Sequence, residues 1–175
     1  MIMSDNKNLK TLSEALAASN EALKILRFID ESNRIEGIKD AATDEQIMEH
    51  RRFMDLQFIT IPDIERFISV HQPDAKLRDQ WGMDVRVGDY IPPIGGALLR
   101  NKLENLLARI NYCGTDPDKT INAYQAHKEY EAIHPFMDCN GRSGRMIWLW
   151  MMRSAPLGFL HTWYYQSLQH ERVEL

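Results

Sequence analysis

A short segment between two apolar stretches constrains this chain more than any other feature. Residues 133–145 read Ile-His-Pro-Phe-Met-Asp-Cys-Asn-Gly-Arg-Ser-Gly-Arg. Before this segment, apolar and aromatic residues recur at the spacing of one helix face: Ala123, Ala126, Tyr130 and Ile133. Pro135 disfavours helical geometry at His134, and residues 142–152 form a second helical pattern that ends before Pro156. The segment is therefore predicted to be a turn that leads into a new helix.

The polar residues of this turn suit a polyphosphate. The start of a helix presents unpaired backbone N–H groups and a partial positive charge, which attract anions. Gly141 allows close backbone approach, while Arg142 and Arg145 share one helix face and can fork onto phosphate oxygens. Asp138 suits a magnesium ion that also binds phosphates, and His134 can accept a proton near neutral pH. Each residue alone is more often structural or solvated, but their combination at this spacing indicates function.

Composition excludes several other classes of protein. A net charge of −4 gives no basic surface for nucleic acid, and Cys113 and Cys139 do not form a disulfide scaffold. No secretory signal is visible, and the longest apolar run, residues 146–152, is too short to span a bilayer. We expect a cytoplasmic protein with no membrane or nucleic-acid partner, with export to another cell left open.

Helix signals dominate the rest of the chain. Capping-box patterns at residues 11–14 and 43–46 predict two helix starts, and the first helical pattern stops at Gly37, which fits a C′ glycine. Pro62-Asp63 predicts a third helix, in which His71 is expected to be a packed or hydrogen-bonded core residue. Residues 97–110 are amphipathic.

One strand signal interrupts the helices. In residues 82–93, Val85-Arg86-Val87 alternates, Gly88-Asp89 can turn, and Tyr90-Ile91 extends to two prolines, which predicts a short hairpin. The expected fold is an all-α bundle with one small hairpin, with N-terminal helices over 1–60 and a core over 61–175 in one compact domain overall. A final helix is predicted after Pro156, followed by a frayed end.

The spacing H-P-F-x-D-x-N-G-R-x-x-R, from His134 to Arg145, closely resembles the signature of the Fic (Fic/Doc) family. The hairpin followed by Pro92-Pro93 and a helix is similar to the family's target-positioning flap. The resemblance implies a Fic-type helical bundle that transfers AMP from ATP to a protein hydroxyl.

The same resemblance implies a role for each residue of the motif. His134 would be the general base, and Asp138 would bind Mg²⁺. Asn140 and the backbone around Gly141 would hold the α-phosphate. Arg142 would contact the β-phosphate and Arg145 the γ-phosphate.

Cys139 stands where the family usually has glycine. A positive φ at this position would strain a cysteine, whereas an N–H directed at phosphate would tolerate a small side chain. We expect the second arrangement.

A second resemblance lies near the N-terminus. Residues 32–37, with Ser32, Glu36 and Gly37, match the [S/T]-x-x-x-E-[G/N] motif of the family's inhibitory helix. A Glu36 carboxylate paired with Arg145 would remove the partner that a γ-phosphate needs. The resemblance therefore implies an autoinhibited adenylyltransferase.

Several alternatives stay open. The enzyme could instead remove AMP from a modified protein or transfer another nucleotide such as UMP, and the chain could also be a nucleotide-binding regulator with weak turnover. Arg142 argues against the phosphate-transferring members, which carry lysine there. The partners expected are ATP and a target protein, which could be the chain itself, and a homo-oligomer is left open.

Overall fold

The computed structural model describes residues 19–20, 22–114, 116 and 120–152, and helices dominate them. The backbone divides into two compact units, residues 1–51 and 52–175. The described part contains six helices and only isolated bridges in place of a sheet, so the predicted all-α fold is confirmed.

The first unit contains α1, over residues 22–35, and the start of α2 (Asp44–Met54). At the end of α1 the N–H of Ile38 donates to Asn33 O at 3.0 Å, and the N–H of Gly37 donates to Arg34 O at 3.0 Å. This pattern is a Schellman motif, and Gly37 has the positive φ, 78°, that the motif requires at C′. The predicted C′ glycine is therefore confirmed.

The predicted start of α2 is also confirmed. Thr43 Oγ1 accepts from the N–H of Gln46, and Gln46 Oε1 accepts from the N–H of Thr43, both at 3.2 Å. These reciprocal bonds form a capping box. Further along α2, the ring of His50 packs against the ring of Phe28 in α1, with 5.9 Å between the two ring centroids.

The second unit begins its helical core with α3 (Ile61–His71) and α4 (Ala97–Ile110). Thr60 caps α3 through a reciprocal bond pair with Asp63, and Pro62 lies in its first turn. His71 is buried with its ring 4.5 Å from that of Phe67, as expected of a packed core residue. The α4 helix has the bounds that its amphipathic pattern predicts.

The last two described helices, α5 (Ala123–Ile133) and α6 (Asn140–Met151), pack closely against each other. The α4 helix also packs against α5, and α3 packs against α6. Every residue from Arg142 to Trp150 is buried, so most of the apolar run lies in an internal helix as predicted, whereas Met151 and Met152 are half-buried. The α6 helix starts at Asn140, two residues before its predicted start.

The predicted hairpin is present in a reduced form. Val87 and Tyr90 pair through two backbone hydrogen bonds of 3.0 Å, and Gly88, at a φ of 58°, forms the turn between them. The other residues of this segment form no ladder pairing, and residues 82–93 together are called the flap below. No helix in the described ranges is long and apolar enough to cross a membrane. The capping box at 11–14 and the helix predicted after Pro156 lie outside those ranges.

Candidate active site

The segment between α5 and α6 is a tight loop held by one amide. Asn140 Oδ1 accepts from the N–H of Phe136 at 2.9 Å, and Asn140 Nδ2 donates to Phe136 O at 2.8 Å. Asn140 is 2% exposed. Both ends of its amide are used within the loop, and its main-chain N–H is a donor that Asn140 can offer a phosphate.

A second segment pairs with this loop from a distance in sequence. The N–H of Met137 donates to Lys76 O at 2.9 Å, and the N–H of Arg78 donates to Pro135 O at 2.8 Å. An isolated antiparallel bridge joins Leu77 to Phe136 between them. Residues 76–78 thus form a strand-like support that sequence reasoning missed.

His134 is the C-cap of α5 and has a left-handed backbone, with a φ of 49° and a ψ of 62°. Its N–H still donates to Tyr130 O at 2.9 Å, and the residue is half-buried. A left-handed conformation is unusual for a non-glycine residue, and the following Pro135 disfavours helical conformations further. The α5 helix therefore ends sharply at His134, and the surrounding contacts must hold the left-handed conformation of this residue.

Cys139 is the other non-glycine residue with positive φ in the described part, at 67°. Our expectation that cysteine would be accepted here without positive φ is wrong. Cys139 is the N-cap residue of α6, and its N–H donates to Asp138 Oδ1 at 2.5 Å. This explains why glycine is usual at this position of the motif, because a left-handed conformation costs a residue with a side chain about 1 kcal/mol or more.

The start of α6 offers donors for an anion. Among the described residues, the N–H groups of Asn140, Gly141 and Arg142 have no acceptor, and the first intrahelical bond is made by the N–H of Ser143 to Cys139 O at 3.0 Å. Unpaired N–H groups at a helix start carry the positive end of its dipole. The start of α6 therefore leaves these three N–H groups available, within the described part of the chain, as donors for an anion.

Arg142 and Arg145 are 6% and 3% exposed, so they do not form a solvated face. Arg142 Nη1 donates to His71 O at 3.2 Å, whereas its Nε is buried without a partner. Within the described residues Arg142 forms no ion pair. Burial of a guanidinium with an unused donor is unfavourable until an anion completes it, so this side chain fits a phosphate.

A buried polar layer lies beneath the turn. The hydroxyls of Tyr130 and Ser143 are 2.8 Å apart, and Ser143 Oγ lies 2.8 Å from Cys139 O. Burial raises the pKa of Tyr130 well above its usual value, so the phenol stays neutral as a hydrogen-bonding group. The layer ties α5 to the first turn of α6.

The residues present fit magnesium only together with phosphate. Asp138 is exposed, and its Oδ2 has no partner within the described part. In the same part no group of three or more His, Cys, Asp or Glu residues is arranged as a metal site. One carboxylate oxygen suits an ion that takes its remaining ligands from substrate phosphates and water.

The predicted inhibitory residues belong to the first unit. Ser32 is buried in α1, whereas Glu36 and Gly37 form the exposed turn that ends this helix. The N–H of Glu36 donates to Asn33 O at 3.0 Å. Glu36 is therefore the C-cap residue of α1, with its backbone held by the Schellman motif.

Sequence reasoning also missed Arg78, which is completely buried and donates hydrogen bonds to three main-chain carbonyls. Neither periodicity nor a motif marks this position in a single sequence. Its acceptors come from both ends of the flap and from His134.

The family model described as Fic/DOC family matches residues 49–152, which is more than half of the chain and includes the whole His134–Arg145 segment.

Proposed function

The chain belongs to the Fic/DOC family, whose members generally transfer nucleotide-derived groups to proteins, and we propose that it transfers AMP from ATP to a hydroxyl of a protein. The observation that carries this proposal is the start of α6. Among the described residues, three N–H groups there lack acceptors, and the buried guanidinium of Arg142 keeps an unpaired Nε. Such a site favours a multiply charged phosphate chain.

The reaction would be an in-line displacement at the α-phosphorus. The oxygen of the target hydroxyl forms a bond to that phosphorus, the bond to the β-phosphate oxygen breaks, and pyrophosphate leaves. His134 would take the hydroxyl proton, as the resemblance implies. Positioning and charge neutralisation account for most of the catalysis of phosphoryl transfer, and a preformed, buried donor set supplies both.

The phosphates would be divided among named groups. The N–H groups of Asn140 and Gly141 would hold the α-phosphate, while Arg142 and Arg145 would hold the β- and γ-phosphates. Asp138 would hold Mg²⁺, which when bound neutralises charge on the phosphate chain. Arg142 would exchange its long bond to His71 O, 3.2 Å, for a charged acceptor.

The proposal includes restraint by Glu36. Its support is the match of residues 32–37 to the inhibitory motif and the exposed, hydrogen-bonded turn to which Glu36 belongs. A carboxylate on Arg145 would compete with the γ-phosphate, so ATP would bind in a nonproductive pose. Low basal activity and a marked gain on removal of Glu36 are the consequences.

The experiment uses the wild type, Glu36→Gly and Glu36→Gly/His134→Ala, each incubated with Mg²⁺ and one nucleoside triphosphate at a time. Intact-protein mass spectrometry then reports any self-modification and the mass of the transferred group. Asp40→Gly is the matched control, because it removes another exposed carboxylate from the same unit.

We expect Glu36→Gly to add adenylyl groups to itself at a rate well above those of the wild type and the Asp40→Gly control. The Glu36→Gly/His134→Ala variant should add none. Equal rates for the wild type and Glu36→Gly would remove the inhibition claim. Uridylyl addition would change the assigned nucleotide, and release of AMP from premodified protein without transfer would support the reverse reaction. Binding of ATP with neither outcome would support a regulator.

A further inference from the structure

Arg78 connects the flap to the candidate base through its side chain. Nε donates to Met83 O at 2.7 Å and Nη2 donates to Pro93 O at 2.5 Å, so the guanidinium joins the two ends of the flap. Nη1 donates to His134 O at 2.7 Å, across 56 positions of sequence. All three acceptors are main-chain carbonyls, and Arg78 is 0% exposed.

The main chain of Arg78 repeats the connection. Its N–H donates to Pro135 O at 2.8 Å, and its O accepts from the N–H of Gly96 at 2.8 Å. Gly96 is the N-cap of α4, so one residue joins the motif loop, the flap and the next helix. Gly95 is packed so closely that an added Cβ would lie 2.7 Å from Met83 O, which shows how tightly the flap base closes here.

Only arginine can make this set of contacts. Its planar guanidinium presents donors in a fixed fork, whereas lysine offers a single charged nitrogen. Burial lowers the pKa of Arg78, and the negative charge of Asp84 opposes this effect. Asp84 Oδ1 accepts from the N–H of Gly95 at 3.0 Å. The cation is thus kept at the base of the flap by local charge and by carbonyl dipoles.

The bond to His134 has a particular consequence. His134 has a left-handed backbone before a proline, a conformation that persists only where neighbouring contacts hold it. A charge-assisted hydrogen bond to its carbonyl fixes the orientation of this peptide group, and with it the direction in which the imidazole leaves the chain.

We propose that Arg78 is a positioning residue, which holds the base His134 and both ends of the flap in one arrangement so that a hydroxyl presented at the flap meets the imidazole. This inference rests on the proposed function. It assigns Arg78 no contact with ATP, so Arg78 acts on the rate of transfer and leaves nucleotide binding alone.

The test compares Glu36→Gly with Glu36→Gly/Arg78→Lys. Self-labelling is followed with α-labelled ATP over a range of Mg-ATP concentrations, so that the maximal rate and the half-saturating concentration are separated. Arg100→Lys in the same background is the matched control, because Arg100 pairs with Asp79 and Glu104 in this region and does not contact the loop.

The expected result is a fall of at least tenfold in the maximal rate for Arg78→Lys, with half-saturation unchanged within about twofold, and near-parental values for Arg100→Lys. Amide exchange at Val87, Tyr90 and Met137 should speed up, while exchange in the centre of α6 stays slow. Unchanged kinetics, or a rise in half-saturation alone, would overturn the inference.

Thermal melts accompany each assay. Arg78→Gln is the second variant if Arg78→Lys unfolds. Unfolding of both variants would contradict the inference, because it would show that Arg78 is needed for the fold itself. If the Glu36→Gly parent transfers nothing, the proposed function fails. Amide exchange of the two Arg78 variants then decides separately whether Arg78 joins the flap to the loop.

Discussion

The side-chain amide of Asn140 forms two hydrogen bonds with the main chain of Phe136, one as acceptor and one as donor. The pair closes the loop between α5 and α6 on itself, so that contacts within the chain fix the shape of the turn. The loop is therefore preorganised, which places most of the ordering cost in folding rather than in nucleotide binding.

Replacement of Asn140 by aspartate should destabilise the protein by about 2–3 kcal/mol, since Phe136 O loses its donor and a charge is buried. Urea unfolding at pH 7.5 measures this loss. Asn101→Asp, at an exposed position of α4, is the control and should change stability by less than about 0.5 kcal/mol. An equal effect of both substitutions would show that the amide does not hold the loop.

Local signals in the sequence were sufficient for several elements. The capping box of Thr43 with Gln46 and the C′ glycine Gly37 depend on residues within one turn, and both could be predicted from their order alone. The buried α6 helix likewise followed from an uninterrupted apolar run.

Two features of the site could not be predicted for physical reasons. The φ of Cys139 depends on how the loop is closed, and a non-glycine residue gives no local sign of a left-handed conformation. Arg78 finds its acceptors up to 56 positions away, so its role arises only when the flap and the loop are brought together. Composition and periodicity contain no such long-range information.

Cys139→Gly should be more stable than Cys139→Ala by about 1 kcal/mol, because glycine adopts the φ of 67° without strain. Both substitutions remove the same buried thiol, so their difference isolates the backbone contribution. Thermal or urea unfolding of the two variants measures it. We also expect Cys139→Gly to preserve or raise the rate of transfer. A more stable alanine variant would contradict the assigned backbone strain.

Gly144→Ala tests the close contact between α5 and α6. An alanine normally stabilises a helix interior by about 1 kcal/mol relative to glycine. Here the added Cβ would lie 2.9 Å from Glu131 Oε1 and 3.0 Å from Tyr130 Cδ1. We therefore expect a loss of about 1–3 kcal/mol in unfolding free energy. Urea unfolding of Gly144→Ala and the wild type measures this change. A gain in stability would contradict the prediction, because it would show that the two helices are less tightly packed.

His50 should make the stability depend on pH. Burial lowers its pKa from 6.5 to about 4, against the opposing hydrogen bond to Gln46 O. Between these values the unfolded chain binds more protons at this site, so stability rises with pH from about 4 to 6.5. We expect His50 alone to account for a loss of about 2 kcal/mol between pH 7.5 and pH 5.

Urea unfolding at these two pH values, for the wild type and His50→Gln, measures this contribution. His50→Gln should show a fall in stability about 2 kcal/mol smaller than the wild type. Identical pH dependence in both proteins would contradict the burial of a neutral imidazole at position 50.

The most direct test of the account titrates Glu36→Gly and Glu36→Gly/His134→Ala with Mg-ATP by calorimetry, and follows transfer of α-labelled phosphate in the same samples. We predict that both variants bind Mg-ATP with similar affinity and that only the variant with His134 labels protein. The absence of binding in Glu36→Gly, or undiminished labelling without His134, would contradict the assignment of this loop as a triphosphate site with His134 as its base.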